Sequence, residues 1–378
     1  MKKDLLIYFA NVVAAVCVVA IIMNIAPGYV SQIGNISSGV AAAFSPQINM
    51  EKITEKTTAK TEKNDNTNNT AAISASRSTD GIKGKDSDLY SDITKTPDDI
   101  AKLMSDAEKT IKDEEVKGKT SEEDYFGGGN LISYDRVEIQ SKIPSSFYEP
   151  NIEELLKQKA DLSIQDISKP TILVYHSHTT EGYTLLDAGY YTESLDLRSK
   201  DNAKNMVRVG DELVKYLEIQ GFNVIHDTDM HDENYSGAYD SSRKNIEKYL
   251  EEYPSIEITI DVHRDDITYD NKTKVKPTAT INGKKAARMM IIAGAEYGRI
   301  EKFPNWEYNL RFDLAVQNKV EEMYPGLMRP ILFSERKYNM FETKNSFLLE
   351  VGTDGNTLDE ACYSARLFAT ALGELLKE

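Results

Sequence analysis

The sequence predicts an α/β fold, a mixed, mostly parallel sheet with helices on both faces, preceded by a single N-terminal transmembrane helix and a disordered linker. Three observations predict it. An uncharged apolar run lies near the N-terminus, a long polar stretch follows, and from Thr171 onward short apolar runs alternate with amphipathic ones.

The first element is LLIYFANVVAAVCVVAIIMNIA, residues 5–26. At about 1.5 Å per residue it reaches roughly 33 Å, enough for a bilayer core. Lys2 and Lys3 precede it, so the positive-inside tendency keeps the short N-terminus in the cytoplasm and places everything after Pro27 outside. A cleaved signal peptide shares that positive start, but its apolar core is only about 7 to 15 residues long and ends at a small-x-small site. No such site follows here, and residues 1–30 read as an uncleaved membrane anchor.

Residues 31–124 turn to Thr, Lys, Asn, Ser, Asp and Glu, as in EKTTAKTEKNDNTNNT. Such composition buries too little apolar surface to offset chain entropy, so this part reads as a mostly disordered tether, with a frayed helix around Pro97 to Lys112. Its root-mean-square reach is on the order of 50 Å. Residues 125–170 form an N-terminal extension of the globular part, either an added layer or a lid, and residues 171–378 form the main domain.

TILVYH opens that domain as a buried strand. In the next segment Met206, Val209, Leu213, Tyr216 and Leu217 recur at three and four, marking an amphipathic helix ended by Gly221. FNVIHD is a second strand, SSRKNIEKYLEEYP a helix stopped before Pro254, and IEITIDVH a third strand. PTATINGKKAARMMIIAGA reads as two strands joined at Asn282-Gly283. A helix over YNLRFDLAVQNKVEEMY, the strands RPILFSE and NSFLLEVG, and a final helix opened by Thr357 and Glu360 at capping-box spacing complete the chain.

Composition narrows the function. The net charge of −16 disfavours nucleic acid as a partner, because phosphates demand a basic surface. The two cysteines, Cys17 and Cys362, offer neither a disulfide framework nor a thiolate metal cage.

Ligands of such folds sit beyond the carboxyl ends of strands, and three strand ends carry chemistry. After TILVY come His176, His178 and Glu181; after IEITIDV come His263 and Arg264; within NSFLLEV stands Glu350. Catalytic zinc takes three nitrogen or oxygen ligands and keeps one position open for water. His178 and Glu181, separated by two residues, with the distant His263 provide such a set, and Glu350 is the candidate proton carrier. On a continuing strand His176 and His178 would share a face, which a turn at Ser177 would undo; His176 is then a supporting or substrate-facing residue, and Arg264 is placed to hold an acidic group of the substrate. His226 and His231, in HDTDMHDEN, read as part of a polar loop rather than a second metal site.

YHSHTTEGY, MVRVGDELVKYLEIQGFNVIHDTDMHD, DVHRD and LLEVGTDGNTLDEA resemble, in that order, the stage II sporulation protein P family of endospore formers. The resemblance implies kinship with zinc-dependent N-acetylmuramoyl-L-alanine amidases, whose metal is held by two histidines and a glutamate. It implies Zn2+ on His178, Glu181 and His263, with Glu350 catalytic. The amidases carry their ligand glutamate just ahead of the first long helix, where LRSKDNAKN has none, so Glu193 stands as the alternative to Glu181. The resemblance further implies a peptidoglycan substrate, a second activity on peptide cross-links, and action in the septal space of the mother cell during engulfment, beside stage II sporulation proteins D and M. Two other readings stay open on the residues alone: a zinc carboxypeptidase with an arginine clamp, and a wall-binding tether without catalysis.

Overall fold

A computed structural model of the chain describes residues 93–378, apart from 126, 127, 165, 194 and 196. The apolar run at 5–26 lies outside the described residues, and so does most of the polar tether. Among the described residues no helix is long and apolar enough to cross a membrane.

In chain order the elements are α1 (Asp98–Thr110), β1 (Val116–Ser121), β2 (Asn130–Tyr134), β3 (Val137–Ser141), α2 (Ile152–Leu156), β4 (Pro170–Tyr175) and β5 (Tyr190–Thr192). Then follow α3 (Met206–Ile219), β6 (Asn223–His226), α4 (Ala238–Glu252), β7 (Ile258–Asp265), β8 (Thr268–Tyr269), β9 (Thr273–Val275) and β10 (Thr278–Ile281). The last are β11 (Lys284–Ala287), β12 (Met289–Gly294), α5 (Trp306–Met323), β13 (Ile331–Ser334), β14 (Ser346–Thr353) and α6 (Leu358–Leu376).

The main sheet has eight strands in the order β2-β3-β13-β12-β14-β7-β4-β6. Alternation along its strands explains why TILVY is apolar throughout. Ile172 and Val174 join the large core that also holds Leu213 of α3, Phe312 of α5 and Phe368 of α6. Leu173 and Tyr175 point to the opposite face and pack with Ile246 of α4. Both faces are covered, so both parities must be apolar.

The expectation of a mostly parallel sheet needs correction, because the sheets are mixed. Among the described residues five of the eleven strand pairings are antiparallel: β1 with β5, β10 with β11, β12 with β14, β2 with β3, and β8 with β9. For the pairs that are consecutive in sequence the cause is short connection. Two residues separate β2 from β3 and two separate β10 from β11, and such links only join antiparallel neighbours, whereas a parallel pair needs a crossover. The β10–β11 turn is at Asn282 and Gly283, both with positive φ, as the Asn-Gly pair predicts. The strand expected to continue from β11 breaks at Arg288 and re-enters the main sheet as β12.

The predicted end of α3 at Gly221 holds, with φ +95° there. The capping box of α6 is also present, Thr357 accepting from the Glu360 amide and Glu360 accepting from the Thr357 amide. Residues 125–170 supply β2, β3 and α2, so they extend the main sheet at one edge. In the stretch where the sequence suggests a frayed helix lies α1, held by buried Ile93 and Ile100 and by Arg366 donating to the Ile93 carbonyl. After it, β1 runs between β5 and β9 in a second, four-stranded sheet.

Candidate active site

Strands β4, β7 and β14 are parallel neighbours, so their carboxyl ends share one rim. Parity then decides where each histidine goes. His176 follows Ile172 and Val174 in parity and is buried against α3. Its Nδ1 lies 3.0 Å from the Val262 carbonyl oxygen and its Nε2 2.9 Å from His226 Nε2. Gly210 of α3 makes the room, since a Cβ there would stand 2.6 Å from Nε2 of either ring. Burial, reinforced by His226, holds His176 well below the ordinary histidine range. The expectation that His176 faces substrate is therefore corrected: it is a core residue paired with His226.

A turn begins at Ser177, and it carries His178 toward α4. The His178 ring stacks on Tyr235 at 4.3 Å and meets Tyr239 and His263 edge-on, each at 5.4 Å. Burial, then the neighbouring His263, lowers its pKa to about 4. Its Nδ1 is buried and finds no hydrogen-bond partner among the described residues.

Glu181 reaches the same place from the end of the turn. Its Oε2 lies 3.5 Å from His263 Nδ1 and accepts from the Arg264 amide, while its Oε1 is 3.8 Å from Arg198. Burial alone would raise its pKa, but Arg264 and His263 outweigh burial and hold it at about 2. His263 shows the complementary effect: burial disfavours its charge, yet Asp261 and then Glu181 keep it well above the ordinary histidine range. Its Nε2 is 2.8 Å from Asp261 Oδ1, a close charge contact without the alignment of a hydrogen bond.

Glu350 stands directly across the β14–β7 pair from His263. The residue is partly exposed, but its Oε2 is buried and unpartnered among the described residues. Burial, then Asp265, pushes its pKa up to about 8. Arg264 is corrected from its expected substrate-facing position. It is buried, its Nε donating to the Gly182 carbonyl and its Nη2 to that of Leu197, so it holds the loop that carries Glu181. Glu193, the alternative ligand, is exposed and pairs with Lys117 at 3.2 Å.

His231 braces the rim. It lies between Asp227 and Ser241, and its backbone amide donates to Thr179. Asp232 accepts from Thr180 and Arg198.

The sequence reading missed Asp261, Tyr239 and Tyr338. Asp261 was legible by parity, two residues before His263 on one strand. The tyrosines were not, because nothing local marks them: Tyr239 stacks on His263 from α4, and Tyr338 stacks on Tyr239 from a loop where its φ is +43°.

Among the described residues, no three His, Cys, Asp or Glu side chains already stand at metal-holding positions. The donor chemistry nonetheless fits zinc. Two imidazoles and one carboxylate meet on a rim, His178 Nδ1 is buried without a partner, and His263 Nδ1 is turned toward Glu181.

The sequence model of stage II sporulation protein P matches residues 31–373. The chain belongs to the stage II sporulation protein P family. It is 30% identical over 256 residues to stage II sporulation protein P of Bacillus subtilis (strain 168), an alignment that spans 62% of this chain and 60% of that protein. Among solved structures, the CwlD amidase from Clostridioides difficile, in complex with the GerS lipoprotein, is 12% identical with a TM-score of 0.35, over 55% of this chain and 98% of that one. The N-acetylmuramoyl-L-alanine amidase AmiC2 of Nostoc punctiforme is 12% identical with a TM-score of 0.34, over the same shares. The catalytic domain of CwlV, an amidase from Bacillus (Paenibacillus) polymyxa, is 13% identical with a TM-score of 0.32, again over 55% and 98%. These are distant likenesses and carry none of the functional reading.

Proposed function

We propose that this chain is a peptidoglycan hydrolase that cuts the amide between N-acetylmuramic acid and L-alanine in septal wall during sporulation. The observation that carries the reading is the placement of Glu350 across one strand pair from His263, on the rim where His178 and Glu181 also meet. Membership of the sporulation family supports the setting.

His178, Glu181 and His263 are the residues that would hold a zinc ion. When bound, zinc supplies Lewis acidity at a carbonyl and a more acidic water. The chain's own groups supply the rest. Glu350 takes a proton from water at its buried Oε2 and delivers it to the leaving amine, a transfer suited to a carboxyl whose affinity for protons is raised by burial. Tyr235 and Tyr239, packed on His178, keep that ring in place and narrow the approach of bulk water. The Arg264 guanidinium is spent on the Gly182 and Leu197 carbonyls, so it is not the arginine clamp that the carboxypeptidase alternative needs.

The test is release of fragments from labelled peptidoglycan by the wild type and His178→Ala, each treated with chelator and then resupplied with zinc. Loss on chelation, recovery with zinc in the wild type, and no recovery in the variant are expected. Release that ignores both chelator and variant would overturn the reading.

A further inference from the structure

We infer that Asp261 is a positioning residue that sets both histidines of the candidate site, orienting the His263 ring and fixing the turn that delivers His178. The inference rests on the proposed zinc reading and names residues that reading does not use.

Asp261 is buried on β7, one alternation before His263, on the face toward α4. Neither oxygen is idle. Oδ1 accepts from the Ser177 amide at 2.8 Å and lies 2.8 Å from His263 Nε2; Oδ2 accepts from the Ser177 hydroxyl at 2.7 Å. Ser177 is the residue between His176 and His178, at the start of the turn. Its hydroxyl also meets Ser242 of α4 at 2.8 Å, and Ser242 receives Asn339 Nδ2 at 3.0 Å. A single carboxylate thus ties the ends of β4 and β7 together, and Ser242 and Asn339 anchor it from two further elements.

The consequence for His263 is directional. With Nε2 turned to Asp261, Nδ1 is the nitrogen presented to Glu181. A carboxylate held in close charge contact behind a ligand imidazole favours one ring orientation and raises ligand basicity, and losing such an outer partner typically weakens metal binding by roughly 10- to 100-fold. Ser177 adds a second effect, since releasing its amide frees the turn on which His178 sits.

The experiment compares full-chain wild type, Asp261→Asn and Ser177→Ala by zinc competition against a chromophoric chelator, and by nitrogen-15 NMR of the metal-free His263 ring. Asp261→Asn keeps the shape and removes the charge. Thermal unfolding checks that each variant folds. The expected result is zinc affinity lowered by roughly 10- to 100-fold in Asp261→Asn, a smaller loss in Ser177→Ala, and a shifted His263 Nε2 signal in Asp261→Asn alone. Wild-type affinity with an unshifted ring signal in a folded Asp261→Asn protein would overturn the inference and leave the zinc reading standing. Absence of zinc binding by the wild type would overturn the zinc reading, and the metal-free ring signal then decides the positioning claim by itself.

Discussion

Asp313 should make the protein less stable as pH rises through the weakly acidic range. The residue is fully buried in the middle of α5, and neither carboxylate oxygen has a hydrogen-bond partner among the described residues. Burial is the cause that pushes its pKa well above the ordinary carboxylate range. The sign follows from proton counting. Above about pH 4 the unfolded chain releases this proton while the folded chain keeps it, so stability is full below that pH and falls as pH rises toward the folded pKa. The slope approaches about 1.4 kcal/mol per pH unit wherever the folded chain keeps the proton that the unfolded chain has lost. Asp313→Asn removes the titrating group at nearly constant volume. Urea unfolding of wild type and variant at a series of pH values above about pH 4 should show the stability difference moving in favour of the variant as pH rises, by up to about 1.4 kcal/mol per pH unit. Parallel pH profiles would refute the reasoning, because they would mean that Asp313 ionises as easily folded as unfolded.

Other perturbations test the packing around the rim. Gly210→Ala, which in an ordinary helix would stabilise, should instead cost about 1 to 3 kcal/mol, because the new methyl group meets the His176 and His226 rings; thermal unfolding reads this out. Gly118→Val should unseat β1, since a Cβ at that position would stand 2.2 Å from the Lys272 carbonyl oxygen and 2.5 Å from the Tyr191 hydroxyl. As β1 pairs with β5 and β9, from the connections after Glu181 and after Arg264, hydrogen exchange should rise in both connections together.

Much of the fold was legible because its signals are local. The period of α3, the glycine after it, the Asn-Gly turn and the Thr357–Glu360 box each act within a few residues, and each is found where the sequence puts it. The mixed character of the sheets was not legible. TILVY and MMIIAG are both buried apolar runs, and nothing in either says whether its neighbour runs parallel or antiparallel. The site divides in the same way. Parallel strand ends place His178, His263 and Glu350 on one rim, while His176 and Arg264 turn inward through contacts made by α3 and by the Leu197 carbonyl, both distant in sequence. The segment containing α1 and β1 has tether-like composition, yet Ile93, Ile100 and a backbone ladder with β5 and β9 dock it on the domain. Two apolar anchors and main-chain hydrogen bonds leave little trace in composition.

The account turns on which bond is cut and on Glu350. Mass spectrometry of the products released from purified peptidoglycan, by wild type and Glu350→Gln in the presence of zinc, tests both together. Free stem peptides with an L-alanine amino end are expected from the wild type and almost none from the variant. Release of single C-terminal amino acids, or of the same stem peptides at an undiminished rate by Glu350→Gln, would contradict it.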